Sequence, residues 1–126
     1  MASILLIEDE PPVRAILSRC LALEGYDVIT AQDGGAGLEL ARERKPDLII
    51  CDLVMPEVDG YGVLAGVRAN SALTHTPFIF LSASADRAER ETGLKRGATE
   101  YLTKPFNLED VLDAVRRNLE GRQLGC

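Results

Sequence analysis

Five short apolar runs are spaced along the chain, and each has the length of a buried β-strand. They cover residues 4–7, 28–30, 48–51, 78–81 and 101–102. Apolar runs without polar residues at alternate positions are typical of a parallel sheet whose two faces are both covered. The segments between the runs are long enough to cross the sheet as helices.

The first of these segments carries the clearest helical pattern. Its apolar residues recur at the spacing of one helix face: Val13, Ile16, Leu17, Cys20 and Leu21. Proline suits the first turn of a helix, and glycine suits its end. The pattern therefore predicts a helix that starts at Pro11 and Pro12 and stops at Gly25.

The last segment predicts a second clear helix. Asn107 is a suitable N-cap, Glu109 and Asp110 place negative charge in the first turn, and the pattern ends near Gly121. Residues 121–126 are then a short C-terminal tail. The apolar face of this helix consists of Leu108, Val111, Leu112, Val115 and Leu119.

Three further helices are predicted over residues 36–45, 61–69 and 86–96. The last of these is weak, because Leu94 is its only large apolar residue and Gly93 lies inside it. Five strands then alternate with five helices. Under the right-handed crossover rule, this order predicts an α/β fold, a doubly wound five-stranded parallel sheet in a three-layer sandwich with flavodoxin-like strand order 2-1-3-4-5.

Composition narrows the class of protein. A chain of 126 residues suits one domain, and a net charge of -6 disfavours direct binding to nucleic acid. Three cysteines without C-x-x-C spacing predict neither a disulfide framework nor a zinc site, which favours the cytoplasm. No apolar stretch approaches the roughly 18 residues that a membrane span requires, so we expect no membrane insertion.

Polar side chains follow four of the five predicted strands. Glu8 and Asp9 follow the first strand, Asp52 the third, Ser82 the fourth and Lys104 the fifth. The first and third strands are neighbours in the predicted order, so we expect the three carboxylates to converge in one crevice. Carboxylates with no histidine or cysteine ligand beside them favour a hard divalent cation, and so few of them favour Mg²⁺.

Asp52 is the candidate nucleophile of this site. A carboxylate beside a divalent cation and an ammonium group can accept a phosphoryl group as an aspartyl phosphate. Taken singly, each acid is as well explained as a helix cap, Lys104 as a surface lysine and Ser82 as a turn residue. Local capping does not predict their joint placement at four strand ends.

Four motifs, taken together, resemble the receiver domain of two-component response regulators. They are Ile-Glu-Asp-Glu-Pro at 7–11, Pro-Asp-Leu-Ile at 46–49 with Asp-Leu-Val-Met-Pro-Glu-Val-Asp-Gly at 52–60, Leu-Ser-Ala at 81–83 and Lys-Pro-Phe at 104–106. The similarity covers the whole chain, residues 1–126, as one receiver domain. Its length is similar to that of the stand-alone, CheY-like type.

The resemblance implies a role for each site residue. Asp52 would accept a phosphoryl group from a phosphohistidine on a sensor histidine kinase or a histidine phosphotransfer protein. Asp9, Asp52 and the backbone carbonyl of Val54 would bind Mg²⁺ directly, and Glu8 would act through water. Lys104 would pair with the phosphoryl oxygens. The chain would be a switch that controls an unidentified downstream protein, and not an enzyme in the ordinary sense.

The resemblance also implies a route from the site to that protein. Ser82 would move to hydrogen-bond a phosphoryl oxygen, and Tyr101 would move inward. These movements would reshape the surface formed by the fourth helix, the fifth strand and the fifth helix, where the weak helix over 86–96 lies. The bond between Lys104 and Pro105 is usually cis in this family.

Three other interpretations stay open. The first is a receiver domain cut from a longer regulator that has a separate output domain. The second is a phosphohydrolase with an aspartate nucleophile, although the sequence Asp52-Leu53-Val54 lacks the second acid of the D-x-D motif that such enzymes need. The third is a binding module that has lost phosphorylation, although such a module should lack one of Asp9, Asp52 and Lys104.

Two further sequence features, a glycine-rich pattern and a single histidine, are weak signals of ligand binding. Residues 60–65 match the G-x-G-x-x-A pattern of dinucleotide-binding loops, but the first glycine does not directly follow a predicted strand. The chain's one histidine, His75, is predicted to be a solvated loop residue, and Cys51 a small core residue beside Asp52.

Overall fold

The computed structural model describes residues 1–124, with the side chains of residues 1–120. Strands and helices alternate along these residues, and all ten predicted elements are present. They are β1 (Ser3–Ile7), α1 (Pro11–Leu23), β2 (Asp27–Ala31), α2 (Gly34–Arg44), β3 (Leu48–Asp52), α3 (Gly60–Ala69), β4 (Phe78–Ser82), α4 (Arg87–Lys95), β5 (Glu100–Thr103) and α5 (Leu108–Leu124).

The five strands form one parallel sheet in the order β2-β1-β3-β4-β5, which confirms the predicted topology. Ile7 of β1 lies opposite Cys51 of β3, and Asp52 lies opposite Leu81 of β4. This register brings the carboxyl ends of the central strands to one edge of the sheet. The residues that follow these strands are therefore close in space.

Alternate residues of the central strands enter different cores on the two faces of the sheet. On one face, Leu5, Ile49 and Phe80 pack with residues of α2 and α3. On the other face, Ile4 and Ile50 pack with residues of α1 and α5. Because both faces are covered, polar alternation is absent, and the strands read as continuous apolar runs.

Helix α1 buries only part of its predicted apolar face. Leu17 and Leu21 are buried, and Val13 and Cys20 are half-buried, but Ile16 is 54% exposed. Ile16 stands about 100° from Leu17 around the helix axis, at the edge of the stripe and away from the sheet. Its predicted place in the core is wrong, because the five-residue stripe is wider than the surface that the sheet covers.

Helix α4 has little contact with the core. Gly93 is its only buried residue, and Leu94, the residue from which its apolar contact was predicted, is 38% exposed. A Cβ atom added at Gly93 would lie 3.3 Å from the rings of both Phe80 and Tyr101. The helix therefore packs through its glycine, which lets its backbone lie directly against two aromatic rings.

Helix α5 starts as predicted, with the side chain of Asn107 accepting a hydrogen bond from the backbone N–H of Glu109 at 2.9 Å. It continues to Leu124, beyond the predicted end near Gly121, since one glycine inside a helix costs only about 1 kcal/mol. The predicted tail over 121–126 is thus helical as far as Leu124, and residues 125–126 lie outside the described residues. Within residues 1–124, no helix is long and apolar enough to cross a membrane.

Two adjacent glycines in the first turn of α2 provide a matched test of this packing. A Cβ atom at Gly34 would lie 2.3 Å from the backbone oxygen of Val58, whereas the nearest atom to a Cβ at Gly35 is Asp33 Oδ1, at 3.6 Å. We expect Gly34→Ala to lower the free energy of unfolding by about 1–3 kcal/mol, because a backbone carbonyl must move. Gly35→Ala should leave it unchanged or raise it by up to ~1 kcal/mol.

Urea unfolding of the two variants and the wild type measures this difference. Both substitutions replace glycine by alanine in the same helix turn, so a difference in helix propensity cannot explain a difference in stability between the two variants. Equal unfolding midpoints for the two variants would contradict the close approach of α2 to the loop that contains Val58.

Candidate functional site

Four carboxylates meet at the carboxyl ends of β1 and β3. Glu8, Asp9 and Glu10 follow β1, and Asp52 is the last residue of β3. Each offers an oxygen atom, and these atoms all lie within 4.8 Å of one another. Glu8 and Asp52 are buried, Asp9 is half-buried and Glu10 is exposed. The predicted convergence of Glu8, Asp9 and Asp52 is confirmed, and Glu10 joins them.

Lys104, which follows β5, brings a positive charge to this cluster. Its Nζ lies 2.8 Å from Glu8 Oε1, 3.3 Å from Glu10 Oε1 and 3.4 Å from Asp52 Oδ2. Burial alone lowers the pKa of Lys104, but the carboxylates outweigh burial and raise this pKa above its ordinary value. Lys104 is therefore protonated at neutral pH and holds together acids from two different strand ends.

The surroundings of Asp52 oppose its ionisation. Burial is the largest cause, followed by repulsion from Glu8 and by the closeness of the carboxyl groups of Asp9 and Glu8. Together they raise the pKa of Asp52 to about 7, although Lys104 acts to lower it. Ionised Asp52 at neutral pH thus needs more positive charge than Lys104 supplies.

The cluster fits a hard divalent cation. Asp9 Oδ1 is buried, and among the described residues it has no hydrogen-bond partner. Glu8 Oε1 also lacks a partner with hydrogen-bond geometry, although Lys104 Nζ lies 2.8 Å away. Buried carboxylate oxygens without partners are costly, and a cation would satisfy them. Carboxylate oxygens, with waters to complete an octahedron, are the ligands that Mg²⁺ takes in proteins.

Two residues to which the sequence assigned no role, Glu10 and Arg14, shape the loop between β1 and α1. Arg14 Nη1 donates a hydrogen bond to the backbone carbonyl of Glu8 at 2.8 Å, and the backbone N–H of Glu10 donates to Glu8 Oε2 at 3.2 Å. The run of three acids after β1 was a signal for Glu10. The sequence carries no comparable signal for Arg14, because its partner is a backbone atom.

Ser82 and Tyr101 both contact the loop that leads into α4. Ser82 is buried, and its Oγ accepts a hydrogen bond from the backbone N–H of Ser84 at 3.1 Å. The Tyr101 hydroxyl donates to the backbone carbonyl of Ser84 at 3.0 Å. Tyr101 is 2% exposed, so its ring already lies inward in this structure. Its movement between two positions stays a prediction.

Val54 lies in the loop after β3 and is 69% exposed. Its proposed contribution is a backbone carbonyl, and that role stays a prediction.

The peptide bond between Lys104 and Pro105 is cis, as the resemblance implied. Gly60, the first glycine of the dinucleotide-like pattern, serves close packing instead, since a Cβ there would lie 2.7 Å from Phe80 Cε1.

Comparison with known protein families identifies the class of the chain. The response regulator receiver domain matches residues 4–116, which include every site residue described above. The chain belongs to the response regulator receiver domain family. Receiver domains of this family act as signalling switches, and the five-stranded sheet with order 2-1-3-4-5 is the CheY-like fold that they share.

Curated relatives of this receiver domain include transcriptional regulators. The chain is 40% identical over 116 residues to the DNA-binding dual master transcriptional regulator RpaA of Synechocystis, covering 92% of this chain and 48% of RpaA. It is 41% identical over 128 residues to the transcriptional regulatory protein KdpE of Mycobacterium tuberculosis, covering 98% of this chain and 55% of KdpE. The chain thus spans about half the length of these relatives.

Solved receiver domains match the chain over nearly their whole length. The chemotaxis protein CheY4 of Vibrio cholerae is 35% identical, with a TM-score of 0.89, and the match covers 94% of this chain and 99% of CheY4. The receiver domain of the sensor histidine kinase PA1611 from Pseudomonas aeruginosa is 31% identical, with a TM-score of 0.87 and coverage of 94% and 98%. That structure has a magnesium ion coordinated in the active site cleft.

The raised pKa of Asp52 makes the stability of this receiver domain depend on pH. The folded protein keeps the Asp52 proton up to about pH 7, whereas the ordinary pKa, which applies to the unfolded chain, is 3.8. Between these values the folded state binds the additional proton, so this group makes stability fall as pH rises. We expect Asp52→Asn to match the wild type near pH 4 and to melt at least roughly 5 °C higher at pH 8.

Calorimetry in a buffer with chelator, over a series of pH values, measures this effect. The quantity of interest is how the difference between the two proteins changes with pH, because a constant offset reports only the change from carboxyl to amide. A difference that stays level from pH 4 to pH 8 would contradict the raised pKa.

Proposed function

We propose that this chain is a phosphorylation-dependent switch of a two-component phosphorelay, with Asp52 as the phosphoryl acceptor. The observation that carries the proposal is the position of Lys104 Nζ, 3.4 Å from Asp52 Oδ2 and inside a cluster of four carboxylates. This arrangement places an ammonium group where a phosphoryl group on Asp52 would need one. Membership of the receiver domain family supports the same role.

The proposed transfer is a displacement at phosphorus. An oxygen of ionised Asp52 attacks, the P–N bond of a phosphohistidine on the partner breaks, and the imidazole takes the electron pair. The partner is therefore a sensor histidine kinase or a histidine phosphotransfer protein. Lys104 pairs with the phosphoryl oxygens and gives up part of its contact with Glu8 and Glu10.

Mg²⁺ is the proposed cofactor. Asp9, Asp52 and the carbonyl of Val54 would hold it directly, and Glu8 would act through water. When bound, the ion supplies charge neutralisation for the carboxylates and the phosphoryl group. The buried oxygen of Asp9 that lacks a partner supports this assignment, as does the magnesium ion described for the PA1611 receiver domain.

Addition of Mg²⁺ should raise the melting temperature of the wild type, because the ion binds the folded cluster and offsets its repulsion. We expect Asp9→Asn to lose most of this shift. Glu39→Gln, which removes an exposed acid from α2, should keep it. Calorimetry with a titration of MgCl₂ measures the shifts, with the same ionic strength of NaCl as the salt control. An equal shift in all three proteins would refute a specific site.

Ser82 and Tyr101 would carry the change to the surface of α4, β5 and α5. An aspartyl phosphate brings a charge of about -1.5 to -2 to the site. If Ser82 Oγ turns to a phosphoryl oxygen, it leaves the backbone N–H of Ser84, which is its partner here. The loop before α4 then rearranges, and a downstream protein effector reads the altered surface.

In the proposed function, residues 1–126 form a single receiver domain that acts in the cytoplasm on a downstream effector protein. RpaA and KdpE are about twice as long, and this favours a second candidate, a receiver domain that belongs to a longer regulator with a separate output domain. Neither candidate requires direct contact between this domain and nucleic acid.

Incubation with Mg²⁺ and a small acyl phosphate tests the acceptor role. Intact-mass measurement should show one added phosphoryl group on the wild type and none on Asp52→Asn, which removes the nucleophilic oxygen. Mg²⁺ should be required. Equal labelling of both proteins, or labelling of neither, would contradict the assignment of Asp52.

The same reaction with a large excess of donor separates the switch from a phosphohydrolase. A switch accumulates phosphoprotein, with at most slow turnover by loss of its own phosphoryl group. A phosphohydrolase releases many equivalents of inorganic phosphate per chain at a steady rate. Rapid release without accumulated phosphoprotein would favour the enzyme.

A further inference from the structure

The two ends of α4 are attached to different parts of the molecule. Its N-terminal end is reached through Ser84, whose backbone contacts Ser82 Oγ and the Tyr101 hydroxyl. Asp86 is the N-cap of α4, and its side chain accepts a hydrogen bond from the backbone N–H of Ala88 at 2.9 Å. The N-terminal end is therefore connected to the carboxyl ends of β4 and β5, where the site lies.

The C-terminal end of α4 is attached to α3, through Arg68. Arg68 Nε and Nη2 donate to the backbone carbonyl of Gly97 at 3.0 and 2.9 Å. Its Nη1 donates to the carbonyls of Thr76 at 2.8 Å and Leu73 at 3.3 Å. One half-buried guanidinium thus joins the end of α3, the loop before β4 and the turn after α4.

The fork geometry of arginine makes this attachment rigid. Two of its N–H groups converge on one carbonyl, while the others bind the opposite loop, and a guanidinium keeps these directions fixed. Burial lowers the pKa of Arg68. Its hydrogen bonds to carbonyls replace bonds to water that burial removes. Gly97 allows the close approach, because its φ is +113° and a Cβ there would lie 3.3 Å from Arg68 Nε.

A second contact joins the same end of α4 to α3. The guanidinium carbon of Arg96, the residue after α4, lies 4.5 Å from the centroid of the Tyr61 ring, a cation–π distance. Tyr61 in turn packs edge-on against Phe80, with 5.5 Å between ring centroids. Gly93 lies against Phe80 as well, so residues 93–97 contact a continuous set of side chains from α3 and β4.

We propose that Arg68 is a positioning residue of the switch: it fixes the C-terminal end of α4, with Arg96 and Tyr61 as a second attachment, so that a change at Ser82 moves the N-terminal end. The attachment of the C-terminal end can be tested in unphosphorylated protein. The restriction of movement to the other end rests on the proposed function.

Amide hydrogen exchange reports on each end of α4 separately. At the C-terminal end, the N–H groups of Arg96, Gly97 and Ala98 donate to carbonyls of α4. At the N-terminal end, the N–H groups of Ala88 and Arg90 donate to Asp86. These amides exchange when the hydrogen bonds open, so their rates measure local stability.

In unphosphorylated protein, Arg68→Gln should speed exchange at residues 96–98 by at least about tenfold and leave residues 88 and 90 nearly unchanged. Leu17→Ala is the matched control, since it weakens the core on the other face of the sheet, away from α4. If Leu17→Ala speeds exchange at 96–98 as much as Arg68→Gln does, or if Arg68→Gln does not speed it, the attachment is refuted.

Tyr61 offers a milder pair of variants, in case Arg68→Gln does not fold. Tyr61→Leu removes the ring under Arg96, whereas Tyr61→Phe keeps it. We expect faster exchange at residues 96–98 in Tyr61→Leu and wild-type rates in Tyr61→Phe. Equal rates in the two variants would exclude the cation–π contact as an attachment.

Phosphorylated wild type, prepared with acyl phosphate and Mg²⁺, tests the direction of movement. Exchange should change at residues 88 and 90 and stay the same at 96–98, and Arg68→Gln should spread the change to 96–98. Equal changes at both ends of the wild-type helix would refute the proposal. Intact mass measured on the same sample shows whether the protein is phosphorylated, so a failure of the proposed function is recognised separately.

Discussion

Lys104 Nζ lies within 3.4 Å of oxygens from Glu8, Glu10 and Asp52, and Asp9 places a fourth carboxylate in the same cluster. Two unit charges 4.8 Å apart repel by roughly 3–4 kcal/mol at an effective dielectric near 20. One ammonium group cannot offset several such repulsions. The surplus negative charge is instead removed by a proton on Asp52, whose pKa is about 7, or by a bound cation. A proton on Asp52 and a bound cation are thus alternative ways to neutralise the same excess negative charge.

This competition links cation binding to reactivity. A protonated carboxyl group is a poor nucleophile, so in the proposed function Asp52 attacks phosphorus only in its ionised form. A cation that binds the cluster favours that form, and it also neutralises charge on the phosphoryl group as it arrives. In the proposed function, the same excess of negative charge that weakens the folded protein makes phosphoryl transfer to Asp52 depend on the bound cation. Protein stability and the proposed phosphoryl transfer would then be coupled through the side chain of Asp52.

Most of the fold and the centre of the site could be predicted from the sequence, because both depend on short-range patterns. Burial on both faces of a parallel sheet leaves continuous apolar runs, and parallel strands place the residues that follow them at one edge. Glu8, Asp9, Asp52 and Lys104 accordingly lie together. Lys104 could be placed there even though it lies far from Asp52 along the chain, since strand order brings the ends of their strands to one edge of the sheet.

The features that escaped prediction depend on contacts that leave no pattern in the sequence. Arg14 and Arg68 donate to backbone carbonyls, which every residue carries, so no partner side chain marks them. The exposure of Ile16 depends on how wide a strip of α1 the sheet covers. The inward position of the Tyr101 ring depends on the space beneath Gly93. To predict any of these contacts, one would need to know the distance between two packed elements.

Gly93 shows how such a contact changes the meaning of a sequence signal. A glycine inside a helix with one large apolar residue predicts low stability along the whole helix. In the structure, that glycine is the point at which α4 contacts Phe80 and Tyr101, and the attachments through Arg68 and Arg96 lie directly after it. The support of α4 is therefore unequal along its length. In the proposed switch, a helix supported in this way would respond to a small rearrangement near Ser84 by moving at one end, which requires less disruption of the core than displacement of the whole helix.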